Sequence, residues 1–185
     1  MNDTHLTLKT CIVRTWCESD AGSLQAHADN RKVWINLRDR FPHPYTLDDA
    51  HAFIEIALGM EPRTFFAIDV GGQAVGGIGY LLHDDVERVS AEIGYWLGER
   101  CWNRGITTEA LAAVTGLAIE RHGLTRVYAL PFEYNIASCR VLEKCGYVLE
   151  ARLRRSAIKD GRIVDQFQYA YVMPPATNYR TGIPV

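Results

Sequence analysis

Neither sign of charge is in surplus. Twenty basic and 22 acidic residues leave a formal net charge of −2 over 185 residues, whereas a polyanion-binding domain carries a basic excess or stripe. Direct binding to nucleic acid is therefore not expected. No apolar run approaches the ~20 residues that a membrane-spanning helix requires, and no secretory pattern of a basic start, apolar stretch and small-residue cleavage site is present. No membrane partner is expected either. CxxC spacing is missing as well. Cys11, Cys17, Cys101, Cys139 and Cys145 are an odd, scattered set, which suits a reduced, cytoplasmic protein better than a disulfide scaffold. GxxxxGK[ST] and GxSxG are both absent, which argues against a P-loop kinase and against a hydrolase built on a nucleophile elbow. What remains is an ordinary chain for one globular unit. Its 48% hydrophobic content supports a sizeable core, and we expect a single domain over residues 1–185, folded from about residue 6 to residue 173 with a short C-terminal tail.

The stretch 91–120 organises the rest. Ile93, Tyr95, Trp96 and Leu97 form a β-type run with Glu92 as its only charge. From Ile106 the apolar residues Ala110, Leu111, Val114, Leu117 and Ala118 recur at helical spacing, and Gly123 supplies the stop. Between strand and helix lies Gly98-Glu99-Arg100-Cys101-Trp102-Asn103-Arg104-Gly105. The first N–H groups of a helix have no partner inside it, so a glycine at its mouth lets a phosphate approach them closely. A tight turn is the alternative reading of that glycine.

In chain order, residues 6–16 read as a strand and residues 21–37 as one amphipathic helix ending before the rigid loop Phe41-Pro42-His43-Pro44-Tyr45. Thr46 caps a second helix with Asp49 at its N3 position, and Gly59 ends it. Residues 64–70 and 74–82 form a hairpin around Gly71-Gly72. Gly76, Gly77 and Gly79 lack nucleotide-binding spacing and belong to a small-residue strand. His83-Asp84-Asp85 has no second His or Cys nearby and reads as a solvated turn, so no metal site is expected. Residues 125–130 form a further strand, Asn135 caps a short helix closed by Gly146, and residues 147–151 and 163–173 are strands joined by a basic connection over residues 152–162. That connection either holds an acidic substrate or is a solvated rim. Consecutive strands in the middle with helices to either side make a mixed α/β, or α+β, fold.

Trp102-Asn103-Arg104-Gly105-Ile106-Thr107 resembles the Q/R-x-x-G-x-G/A acyl-CoA motif of the GNAT superfamily of N-acetyltransferases. The run AEIGYWLGERCWNRGITTEAL, the later N-x-x-S with E-K-x-G-Y, and Phe41-Pro42-His43-Pro44-Tyr45-Thr46 with Asp49-Ala50 are similar to the branch of ribosomal-protein N-terminal (alanine/serine) acetyltransferases. The resemblance covers residues 8–173. It implies a central, mostly antiparallel sheet of six or seven strands, splayed into a V between the fourth and fifth, with four helices packed around it.

It also implies a function: transfer of the acetyl group of acetyl-CoA to a primary amine in a ternary complex, the acceptor being a protein N-terminal amine. A small amine such as an antibiotic, polyamine or amino acid is the alternative acceptor, and a catalytically silent CoA-binding module the alternative role. The chain would act as a monomer or homodimer, with acetyl-CoA as donor and no metal. By the same resemblance, the N–H groups of Asn103, Arg104, Gly105, Ile106, Thr107 and Thr108, beside Trp102, would cradle the pyrophosphate, with Thr107 where the motif has Gly or Ala. The exposed main chain of Trp96 and Leu97 would pair with the pantetheine arm, and Asn135 would meet it from the other side. Phe41 to Ala50 would supply one wall of the acceptor site.

The chemistry needs a base for the amine, a donor for the oxyanion and a proton for the departing thiolate. Glu92 is the candidate base, with a surface carboxylate as its other reading. The Leu97 N–H is the candidate oxyanion donor. Many relatives carry a tyrosine seven residues after the asparagine, where this chain has Leu142. Ser138 is the substitute proton donor, unless it makes only local helix bonds.

Overall fold

The computed structural model describes residues 3–174; the expected tail beyond them lies outside the described residues. Eight strands form one sheet in the order β1-β2-β3-β4-β5-β6-β8-β7. They are β1 (His5–Thr7), β2 (Ile12–Thr15), β3 (Phe65–Val70), β4 (Gln73–Leu82), β5 (Ser90–Leu97), β6 (Arg126–Ala129), β7 (Val148–Lys159) and β8 (Arg162–Val172). Every pairing is antiparallel except β5 with β6. That one parallel pair follows from its connection, since α4 (Ile106–His122) crosses over between the two strands. On one face α4 and α5 (Ile136–Lys144) cover a core that includes Ile93, Leu97, Leu111, Val114 and Leu142. On the other face α1 (Ala21–Ala28) and α3 (Leu47–Gly59) pack on Trp16, Ala67 and Ala74.

The expected V is present. β6 pairs with β5 through Ser90, Ala91 and Glu92, opposite Arg126, Val127 and Tyr128. Past Glu92, β5 runs on to Leu97 with no strand at that edge among the described residues.

Three boundaries differ from the sequence expectation. The first strand is a hairpin: Leu8 N–H donates to the Cys11 carbonyl at 2.9 Å, and the turn is held to α4 by Glu109, whose carboxylate accepts from the Thr10 N–H and hydroxyl, both at 2.8 Å. This division raises the strand count from seven to eight. The first helix breaks at Asp29-Asn30, because both side chains find better work than a helix interior offers. Asp29 accepts from the Tyr45 N–H at 3.0 Å, and Asn30 caps α2 (Arg31–Trp34) by accepting from the Lys32 N–H at 2.8 Å.

Third, the basic segment after Ala151 is strand, not connection. β7 runs to Lys159 with register shifts at residues 149–151 and 153–157, Arg155 taking a positive φ of 53° at the second. Charged residues on an edge strand block pairing with other chains.

The tip of the β7–β8 hairpin reaches across to the segment around α2. Arg31 pairs with Asp160 at 2.7 Å. Lys159 lies 3.7 Å from the centre of the Trp34 ring and pairs with Asp39 at 2.8 Å, its side chain 1% exposed against 70% for Asp39. The two partners of this pair are not equivalent. Removing Asp39 strands a buried ammonium, whereas replacing the lysine by an apolar side chain of similar length removes the buried charge itself. Asp39→Ala is expected to destabilise the fold by about 2 kcal/mol, near 4–8 °C in melting temperature for a chain of this size. Lys159→Met is expected to stay within about 1 kcal/mol of the parent. Thermal melts of the two variants test the asymmetry, and equal losses would count against it.

Candidate active site in the splayed sheet

The opening between β5 and β6 leads into a cavity of about 820 Å³. Trp102, Asn103, Arg104, Gly105, Ile106, Thr107 and Thr108 line one end of it, Asn135 and Ser138 one side, and Glu92, Trp96 and Leu97 the β5 edge. The fold therefore gathers the residues singled out from the sequence around one space.

At the first end, Gly105 is the N-cap of α4 in a left-handed conformation (φ 78°, ψ −6°). Asn103 also has a positive φ, 59°. A Cβ built on Gly105 would meet no heavy atom within 4 Å, so it is the backbone angle and the open space in front of the helix, not crowding, that call for glycine here. Ile106 turns its side chain into the core and is 1% exposed, which leaves only its main chain for a ligand. Arg104 and Lys144 line the cavity with no ion pair among the described residues. A helix N-terminus with two unpaired cations lining the same cavity creates a field that favours an anion.

The free edge of β5 has a definite phase. Gly98 N–H donates to the Val75 carbonyl at 2.8 Å and His83 N–H to the Ser90 carbonyl at 3.2 Å. In an antiparallel ladder the bonded pairs alternate, so the even-numbered residues of β5 turn their main-chain groups to β4. Trp96, opposite Gly77, is therefore committed to β4, contrary to the expectation that its main chain lies free. The main-chain groups that face the opening belong to Tyr95 and Leu97. The Leu97 carbonyl is taken by the Trp102 indole N–H at 2.7 Å, leaving the Leu97 N–H directed into the gap. Trp102 stands where the acyl-CoA motif has Gln or Arg, and here it ties the loop before α4 to the strand.

Sequence reasoning missed Tyr95. Its hydroxyl lies 2.8 Å from the Ser138 hydroxyl and donates to the Ser138 carbonyl at 3.3 Å, linking β5 to the first turn of α5. Asn135 caps that turn by accepting from the Ser138 N–H at 3.1 Å. Burial pushes the Tyr95 phenol well above the ordinary tyrosine range, so it keeps its proton. The available signal was a tyrosine in an otherwise apolar strand, whose hydroxyl needs a partner once buried.

Glu92 lies on the opposite face of β5, with Gly94 and Trp96, as strand alternation requires. It is not a solvated carboxylate: Arg38, in the turn after α2, donates to it. Arg38 is the other residue that the sequence did not mark. His83, expected to be solvated, instead stacks on Tyr128 and hydrogen-bonds its hydroxyl at 2.9 Å. No group of three His, Cys, Asp or Glu side chains suited to a metal occurs among the described residues, and no helix among them is long and apolar enough to cross a membrane.

Comparison with known proteins points the same way. A curated relative, the uncharacterized N-acetyltransferase YoaA of Bacillus subtilis, is 32% identical over 102 residues, which is 55% of this chain and 57% of YoaA, so the chain spans little more than half of that relative's length. The ribosomal L7/L12 α-N-protein acetyltransferase RimL, solved in complex with coenzyme A, superposes with a TM-score of 0.81 at 20% identity over 92% of this chain and 98% of that one. The ribosomal-protein-S5-alanine acetyltransferase of Vibrio fischeri superposes with a TM-score of 0.79 at 16% identity over 92% and 97%. At such identities the two superpositions speak for the fold. Residues 11–148 match the Acetyltransferase (GNAT) domain model, a match that takes in the splayed β5–β6 pair, the glycine at the mouth of α4 and the whole of α5, and the chain belongs to the GNAT family of acetyltransferases.

Proposed function

We propose that the chain transfers the acetyl group of acetyl-CoA to a primary amine, and that this amine is the N-terminus of a protein or peptide. The observation that carries the reading is the opening beside β5. It presents main-chain groups of Tyr95 and Leu97 along its length, an anion site at one end, and a carboxylate, Glu92, at the other. Acetyl-CoA supplies an activated thioester, and the residues lining the opening suit its parts. The N–H groups at the start of α4, with Arg104 and Lys144, fit the phosphates, and the edge of β5 fits the amides of the pantetheine arm as an added strand would. RimL binding coenzyme A in the same fold supports this assignment.

The chemical step joins the amine nitrogen to the acetyl carbon and breaks the carbon–sulfur bond. Amines are mostly protonated at neutral pH, so Glu92, held in place by Arg38, takes the proton directly or through water. The Leu97 N–H meets the negative charge that develops on the carbonyl oxygen. The departing sulfur receives its proton from the paired hydroxyls of Ser138 and Tyr95. Five free cysteines suit work in a reducing compartment such as the cytoplasm.

The test is release of free coenzyme A thiol from acetyl-CoA with a panel of peptides and small amines. We expect release with peptides that have a free N-terminus and none when that amine is blocked. Tight coenzyme A binding with no release across the panel would instead make this a silent binding module. The shared Ser138–Tyr95 hydrogen bond adds a second check. Ser138→Ala and Tyr95→Phe should each lower kcat by roughly 10–100-fold. The double variant should fall little further than either, because one interaction is being removed twice.

A further inference from the structure

We propose that the acceptor carries a large apolar side chain next to its reacting amine, and that a second cavity behind β5 receives it. The inference rests on the acetyl-transfer reading above and adds the class of substrate. This cavity, about 230 Å³, lies on the α1–α3 face of the sheet. It shares Leu37, Arg38, Glu92, Gly94, Tyr95 and Trp96 with the larger one, so Glu92 stands on the boundary between the space for the acetyl donor and the slot. Gly94 sits in the same boundary, and a Cβ placed there would meet no atom within 4 Å. Between the side chains of Glu92 and Trp96, on one face of one strand, there is a doorway.

The slot is built for an apolar group. Phe41, Tyr45, Phe53, Phe65 and Leu81 are among the residues that line it. Its floor is kept low by glycines on β4. A Cβ on Gly79 would come within 2.1 Å of the Phe65 ring, and one on Gly77 within 2.8 Å of the Trp96 indole nitrogen. Those two aromatic rings lie directly on glycine backbone, which leaves the space above them open. Sites for whole drug-sized ligands run to about 300–1,000 Å³, so this one has room for a single side chain of phenylalanine or leucine size rather than for a complete small molecule.

The charges at the slot select further. Arg40 lines it without an ion-pair partner among the described residues, while Arg38 is balanced by Glu92. A polyamine or aminoglycoside, with several ammonium groups, would meet an unpaired guanidinium. A carbonyl or carboxylate two bonds from the amine would be attracted to it. An α-amine with an apolar side chain and an adjacent carbonyl satisfies the doorway, the slot and the charge together. Both a peptide N-terminus and a free amino acid have that chemistry.

The experiment compares kcat/KM by thiol release for peptides differing only in the first residue (Phe, Leu, Ser, Ala), with free phenylalanine, phenylalanine amide and spermidine in parallel. We expect the Phe- or Leu-first peptide to exceed the Ser-first peptide by roughly 30-fold, within the range that a hydrophobic pocket confers per group. Leu81→Trp, at the half-exposed edge of the slot, should lower the ratio of Phe-first to Ala-first rates by roughly 10-fold, with coenzyme A affinity within about 2-fold of the parent. A free amino acid outrunning its peptide would assign the slot to amino acids, and the reverse to N-termini; either supports the proposal. Equal or better rates with Ser- or Ala-first peptides, or with spermidine, would overturn it while leaving acetyl transfer standing. Absence of thiol release from every amine would remove the acetyl-transfer reading and this one with it.

Discussion

Glu92→Gln is expected to lower kcat at neutral pH by roughly 10²–10⁴-fold, the usual contribution of a positioned general base. Glutamine is nearly isosteric, and its carbonyl oxygen can still accept from Arg38, so the side chain should stay where the carboxylate was. Only the capacity to take a proton is lost. The phosphate site proposed above, at the start of α4, lies at the other end of the opening, and coenzyme A affinity should not change. The pH profile carries the sharper test. A peptide α-amine titrates near pH 8; below that value most of the acceptor is protonated and the variant has nothing to neutralise it. As pH rises through the amine's own pKa the neutral fraction grows, and the variant should recover steadily toward the parent. A variant that stays within about 3-fold of the parent at pH 7 would mean that water or another group is the base. Arg38→Ala, which leaves Glu92 in place but untethered, should show a smaller loss with a raised KM for the acceptor.

The parts of this site that were legible in the sequence are those written in local chemistry. The switch from strand to helix at residues 91–122 shows in the periodicity and in Gly105. The caps show too: Thr46 and Asp49 bond reciprocally at the start of α3, and Asn135 caps α5. What the sequence concealed depends on contacts between distant residues. The break after Ala28 is made by Tyr45 and Glu99, which draw Asp29 and Asn30 away from a helix that periodicity alone would continue. Arg38, beyond that break, reaches Glu92 across 54 residues of sequence.

The length of β7 was hidden because an edge strand with bulges reads like a charged loop. Tyr95 and Ser138 are 43 residues apart and meet only when α5 docks against β5. The phase of the β5 main chain, which commits Trp96 to β4, is set by the register with β4 and has no trace in β5 itself. The segment from Phe41 to Ala50 shows the same limit: Phe41 and Tyr45 line a cavity, but the slot they share with Phe53 and Phe65 is completed by glycines on another strand.

Gly105→Val is expected to raise the dissociation constant for coenzyme A by 100-fold or more while leaving the protein folded. The fold tolerates the change because a Cβ at this position meets no atom within 4 Å. The cost is then at most that of holding a β-branched residue at a φ of 78°, about 1–3 kcal/mol, against a total stability of roughly 5–15 kcal/mol, and local relaxation lowers it. For the ligand the same change acts twice. A side chain projects into the space where a phosphate must come close. Valine also relaxes toward negative φ and swings the N–H groups of Ile106 and Thr107 away from their common focus. Losing two hydrogen bonds to a charged group, each worth about 1.5–3 kcal/mol, accounts for a 100-fold loss.

Gly105→Asn separates the two effects. Asparagine accepts the left-handed conformation, so it keeps the direction of the N–H groups while still adding a side chain. If the asparagine variant binds coenzyme A and the valine variant does not, the backbone angle is what the glycine protects. If both fail, close approach is. Should the valine variant, folded by circular dichroism and melting cooperatively, bind coenzyme A as the parent does, the N-terminus of α4 is not the phosphate site, and Arg104 and Lys144 would have to hold the phosphates from elsewhere along the opening.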